Sequence, residues 1–339
     1  MAHIHSIQPS VSSKGFSLLE LLLVLFIMGL MTATTMLMTG GVEDQAKYDE
    51  TKRRMELIKR AIVGDPTRTV NGGPEISGFV ADMGRLPGCM SELITPGVEK
   101  TPNTDPKTYD SPCGGSPAQV ITAWHEDTTS NLWGGWRGPY ISTISDSDGV
   151  SRFRDGWNNN FNASNPTSDA KNYGWVWDDA SVSGVLSLQS WSADLAATTA
   201  DDFPQPVSGV VPALVVEDDY LANDTMTIRL FNESAMSAVA VPGIEVKLDY
   251  ISNGVASSGV ATLTPATSSV NPNVTLDIPF TMPVATQKMG IKRLQVVCTA
   301  DGKLFDGQCG RAVNPVASPQ FITMPPRTQL PTIRWSIAP

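Results

Sequence analysis

The chain has 339 residues, and its 24 Lys+Arg against 34 Asp+Glu give a formal charge of −10. That balance argues against a nucleic-acid partner, because a phosphate-binding surface needs a basic patch. Only three His are present, and His3 and His5 lie at the extreme N-terminus, which disfavours histidine-based catalysis and His-rich metal sites. With 41% hydrophobic residues, the chain has enough apolar material for one long domain or two ordinary ones.

Residues 1–15 are polar, with Lys14 the one cation. Residues 16–38, FSLLELLLVLFIMGLMTATTMLM, carry a single charge, Glu20, and match the length of about 20 apolar residues that spans a bilayer core. The run exceeds the ~7–15 apolar residues of a secretory signal peptide, and no small-x-small site followed by a turn ends it. Instead the pattern continues as helix. Tyr48, Thr51, Met55, Ile58 and Ile62 recur at spacings of 3, 4, 3 and 4 with charges between them. Gly40 and Gly41 weaken the junction, and Gly64-Asp65-Pro66 stops the helix. The sequence therefore predicts one rod over 16–63, apolar in its first half and amphipathic in its second. Glu20 stands out, since a carboxylate in such a run is costly unless paired.

Lys14-Gly15-Phe16-Ser17-Leu18-Leu19-Glu20 resembles the type III signal sequence of type IV prepilins and type II secretion pseudoprepilins. The shared features are a basic residue, Gly, Phe, then Glu five positions after the Gly, and about 20 apolar residues. The resemblance implies that a prepilin peptidase cuts between Gly15 and Phe16 and N-methylates Phe16. It implies that the freed amine of Phe16, mostly cationic at neutral pH, meets the Glu20 carboxylate of a neighbouring subunit during filament assembly. Its implied partners are the peptidase, other pilin or pseudopilin subunits and an inner-membrane assembly platform. The implied localisation is the bacterial inner membrane, single-pass with the C-terminal domain in the periplasm, and then a filament or the cell surface.

The middle segment holds seven of the eight Trp, between Trp124 and Trp191, among turn signals such as Gly134-Gly135 and Asp155-Gly156. A short helix over Ile76–Leu86 and a small antiparallel sheet with long loops fit it. The motif order resembles the major pseudopilin of type II secretion: 79–87, Gly138-Pro139-Tyr140-Ile141, 155–161, then Ser190-Trp191-Ser192-Ala193-Asp194 and Asp201-Asp202-Phe203. In that family the last acidic loop binds calcium, so the resemblance makes Asp194, Asp201 and Asp202 candidate ligands. Carboxylates suit this hard cation. Leu195-Ala196-Ala197-Thr198-Thr199 replace the family's glycines there. Asp146-Ser147-Asp148-Gly149 reads as a turn, and His125 as a loop histidine.

From about Pro204 the composition turns to Val, Thr, Ser and Pro. Met226, Ile228 and Leu230 alternate with polar residues, as do Ile244, Val246, Leu248 and Tyr250, then Val274, Leu276, Ile278 and Phe280, with Leu294, Val296 and Cys298 following. Such period-2 runs predict an antiparallel sandwich, with Pro279 at an edge or a bulge. The four cysteines allow three connectivities. Cys89–Cys113 with Cys298–Cys309 keeps one bridge in each predicted domain and requires an oxidising compartment.

The expected fold is α+β: a long transmembrane and amphipathic N-terminal helix packed on a small antiparallel sheet, pilin-like, followed by an all-β sandwich-like domain. The expected divisions are a leader 1–15, a helix 16–63 with 16–38 crossing the membrane, a pseudopilin-like domain 64–205 and a sandwich 206–339. The expected role is a structural subunit of a type IV pilus or type II secretion pseudopilus, not an enzyme. The alternative is a tip adhesin or substrate-binding pilin acting through the C-terminal sandwich.

Overall fold

A computed structural model describes residues 15, 17–65, 67–70, 73–115, 118–143, 145, 149–160, 171–179, 183–196, 201–310 and 318–338. Helix α1 runs Leu18–Val63. Ser17 caps it, its side chain accepting from the Glu20 N–H at 3.2 Å, which satisfies one of the open donors of the first turn. Gly64 ends it at φ 77°, its N–H bonded to the Arg60 carbonyl. The apolar side chains from Leu18 to Met31 are exposed, whereas Met55, Ile58, Ala61 and Ile62 are buried. The helix therefore divides into a free arm and an anchored half.

The anchored half meets α2 (Phe79–Met83), whose Phe79, Val80 and Met83 share a core with Ile58, Ile62, Ile121, Trp175 and Leu188. The short strands of this body are β1 (Thr69–Val70), β2 (Gly73–Pro74), β3 (Val98–Glu99), β4 (Thr108–Gly115), β5 (Ala118–Thr122), β6 (His125–Asp127), β7 (Leu132–Gly134), β8 (Val176–Asp178), β9 (Leu186–Gln189) and β10 (Ala213–Val215). They form the sheets β1-β2, β3-β4-β5, β6-β7 and β8-β9-β10, all antiparallel.

The second unit contains β11 (Thr225–Asn232), β12 (Val239–Ala240), β13 (Ile244–Ser252), β14 (Val255–Leu263), β15 (Ser269–Val270), β16 (Thr275–Thr281), β17 (Gly290–Cys298), β18 (Gln320–Met324) and β19 (Ile333–Ile337). One sheet has the order β16-β11-β19 and the other β14-β13-β17-β18. The pair β11–β19 is parallel, with Ile228 opposite Ile333. Alternate residues of both sheets, among them Ile228, Leu230, Val246, Leu294 and Trp335, make one core. The Trp335 indole N–H donates to the Phe305 carbonyl at 2.7 Å. Pro279 lies on β16, an edge strand, where a missing N–H costs no ladder bond.

Body and sandwich touch at the end of α2. Gly84, at φ 68°, lets the chain pass against β13, and a Cβ there would collide with the Ile251 carbonyl. Lys288 Nζ donates to the Gly84 carbonyl at 2.7 Å, and Arg293 Nη1 to the Thr129 carbonyl at 2.7 Å.

Two expectations are corrected. The chain is not the α+β arrangement of a long helix packed on a sheet. Nineteen strands stand against two α-helices among the described residues, and the buried stripe of α1 is covered by α2, β10 and loops. The strands near it are too short to form a helix-sized sheet face. Nor is a single-pass inner-membrane protein supported, because no helix among the described residues is long and apolar enough to cross a membrane.

Candidate functional site

The N-terminal arm begins at the motif. Gly15 is exposed, Phe16 lies outside the described residues, and Glu20 is exposed in the first turn of α1. That position gives Glu20 a local role: a carboxylate near a helix N-terminus meets the positive end of the helix dipole. Beyond it the surface is continuous hydrocarbon. Leu18 is 82% exposed and Phe26 63%, and Leu18, Leu19, Leu22, Leu23 and Phe26 line one apolar groove. Thr32 and Thr34 do not break the surface, because each hydroxyl bonds a carbonyl in the preceding turn of the helix. A helix that is apolar on all sides has its place in a buried environment, and contiguous exposed apolar surface of this extent marks an interaction site.

The anchored half holds this arm to the body. Arg54 pairs with Glu50 at 2.6 Å and donates from Nη1 to the Arg154 and Asp155 carbonyls. The Gly156 N–H donates to Thr51 Oγ1 at 2.9 Å, and Lys59 pairs with Asp219 at 2.8 Å. The two arginines beside Glu50 hold its carboxyl down to about 2, the Arg53 hydrogen bond leading.

The second feature is the acidic loop after β9. Carboxylate oxygens of Asp194, Asp201 and Asp202 lie within 4.8 Å of one another. Asp202 is buried and accepts from Gln189 Nε2 at 3.3 Å. Asp201 Oδ2 accepts from the Ala193 N–H, and Asp194 Oδ1 from the Ala196 N–H. Below the loop, buried Asp155 accepts from the Asn159 N–H, Asn159 Nδ2 and Ser190 Oγ. Asn159 Nδ2 also donates to the Ser192 carbonyl, so this network fixes the loop's start. Three carboxylates drawn together suit a hard cation by donor type. Residues 197–200 of the same loop lie outside the described residues, as do Asp146, Ser147 and Asp148.

The cysteines pair locally, Cys89 with Cys113 and Cys298 with Cys309. Two disulfides point to an oxidising setting, periplasmic or extracellular. His125 Nδ1 lies 3.0 Å from the Ala123 carbonyl.

Sequence reasoning missed Asp82. It is 4% exposed, contacting Tyr140 Oη and Arg137 Nε, each at 3.1 Å. Burial raises its carboxyl to about 6 against the pull of Arg137 and Tyr140. The available signal was a lone charge in the otherwise apolar run Phe79–Met83. Comparison of the chain with protein-family models, with curated proteins and with solved structures finds no match to any of them.

Proposed function

We propose that the chain is a structural subunit of a pilin or pseudopilin filament, trimmed after Gly15 by a prepilin peptidase and joined to other copies through α1. The observation that carries this reading is the bare apolar arm projecting from an otherwise well-packed body, directly behind the Gly15-Phe16 motif. Each Leu, Ile or Phe that passes from water into a bundle of such arms contributes roughly 1.5–3 kcal/mol. The arm thus supplies the drive for assembly, and Glu20 supplies register by meeting the Phe16 amine of the next copy. An unpaired carboxylate in that bundle opposes assembly in any other register. In the same reading the Asp194, Asp201 and Asp202 loop holds calcium and stiffens the end of the body.

The test is mass spectrometry of the N-terminus of the mature protein, together with electron microscopy of Glu20→Ala. We expect N-methylated Phe16 as the first residue, and a Glu20→Ala chain that is trimmed but forms few filaments. A mature chain that begins at Met1 refutes the assignment. Normal filaments from Glu20→Ala refute the pairing.

A further inference from the structure

We infer that the cleft between α2, the β6–β7 hairpin and the outer face of β17–β18 binds a neutral saccharide chain. The cleft encloses about 570 Å³, inside the ~300–1,000 Å³ typical of small-ligand sites.

One wall is a stack of planar groups. Trp124 and Trp133 have ring centroids 6.1 Å apart with 27° between their planes. The Arg137 guanidinium lies 5.0 Å from the Trp124 ring centroid. Trp133 ends the stack and is 52% exposed. Across the cleft Phe321 of β18 is 53% exposed, with exposed Ile291 on β17 beside it. Two large aromatic surfaces thus open to solvent on one cleft, where single exposed apolar residues need no explanation but a grouped patch does.

Its polar groups decide the ligand class. Asp82 lines the cleft and is almost wholly buried. Both of its side-chain partners, Tyr140 Oη and Arg137 Nε, engage Oδ2. Asn131 adds an amide at the same cleft, and Arg137 adds further N–H donors. A pyranose satisfies all of these at once. Its C–H face stacks on indole or phenyl rings, and its hydroxyls both donate to a carboxylate and accept from guanidinium and amide. A purely apolar ligand makes no hydrogen bond to Asp82, Asn131 or Arg137, all of which line the cleft. A proline-rich peptide fits the rings but has no N–H at its prolines to offer the Asp82 carboxylate. A polyanion is opposed by Asp82 and by the formal charge of −10.

The test is isothermal titration calorimetry of the full chain with cellohexaose, maltohexaose and xylohexaose, and with a decaproline peptide. We expect at least one hexasaccharide to saturate one site per chain. Trp133→Ala, which removes a half-exposed ring, should weaken that binding by about tenfold or more, as loss of a central aromatic anchor does. Asp82→Asn should weaken it as well while the circular dichroism spectrum is unchanged. The inference is overturned if none of the three sugars gives heat at concentrations up to about 5 mM, beyond the weak-binding range. It is also overturned if Trp133→Ala binds as tightly as the parent chain, or if decaproline binds and the sugars do not.

Discussion

Arg85→Met tests how the centre of the body is held. Arg85 meets Glu92 fork to fork, Nη1 to Oε2 at 2.7 Å and Nη2 to Oε1 at 2.9 Å. Glu92 is fully buried and also accepts from the Gly88 N–H at 2.9 Å and from Ser111 Oγ at 2.6 Å. One carboxylate thus ties the end of α2 to the short turn Met90–Leu93 and to β4. Methionine keeps much of the arginine stem and can still lie on the Phe79 ring, which the guanidinium covers at 5.1 Å. The substitution therefore removes chiefly the charge. Breaking a buried pair by deleting one partner costs roughly 3–5 kcal/mol. Two of the four bonds to Glu92 survive, so the lower end, about 3 kcal/mol, is expected. Urea unfolding followed by tryptophan fluorescence reports on the right region, because seven of the eight Trp lie between Trp124 and Trp191. With urea slopes of about 1–3 kcal/mol per molar, the midpoint should fall by about 1–3 M. Replacing both partners, Arg85→Met with Glu92→Met, should recover part of the loss, since no charge is then left buried. A single variant whose midpoint stays within about 0.3 M of the parent, at slopes in that range, refutes the reasoning.

Three further outcomes follow from the same structure. Asp82 has its carboxyl raised by burial to about 6, above its unfolded value, so its contribution to stability is full below about pH 4 and is lost as pH rises through about 6, on the order of 3 kcal/mol. Asp82→Asn should remove that dependence, and a stability difference from the parent that stays flat between pH 4 and 8 counts against it. Burial, with Lys288 second, pushes the Lys292 ammonium down to about 7. Stability should therefore fall as pH drops from about 10 to about 7, on the order of 3–5 kcal/mol, and Lys292→Met should abolish the fall; matching pH profiles for the two chains would exclude this. Ile58 is fully buried where α1 is anchored, so Ile58→Ala should cost about 2–5 kcal/mol in the same urea assay, and a parent-like transition would show that the core does not depend on it.

Several parts of this architecture were legible from local spacing. The 3-4 repeat of Thr51, Met55, Ile58 and Ile62 coincides with the buried stripe of α1, because helical geometry places those positions on one side whatever they pack against. The alternation of Met226, Ile228 and Leu230 coincides with the inward residues of β11 for the equivalent reason in a strand. Gly64, placed after the last periodic residue, is the helix stop. The three aspartates picked out after β9 do come together in space. Apolar density alone was a poorer guide at the N-terminus, where it suggested a membrane span and the structure offers no sufficient helix among the described residues.

Local periodicity determined which residues of this chain turn inward and where α1 stops, since those properties depend on a few neighbouring residues. It could not decide what each inward face would meet. Only tertiary structure set the parallel pairing of β11 with β19 about a hundred residues away, the choice among three cysteine pairings, and the cover of α1 by α2 and loops. It alone placed Trp133, Phe321 and Asp82 on one cleft. Those outcomes rest on packing and desolvation summed over segments far apart in the chain, and no short stretch of residues carries that information.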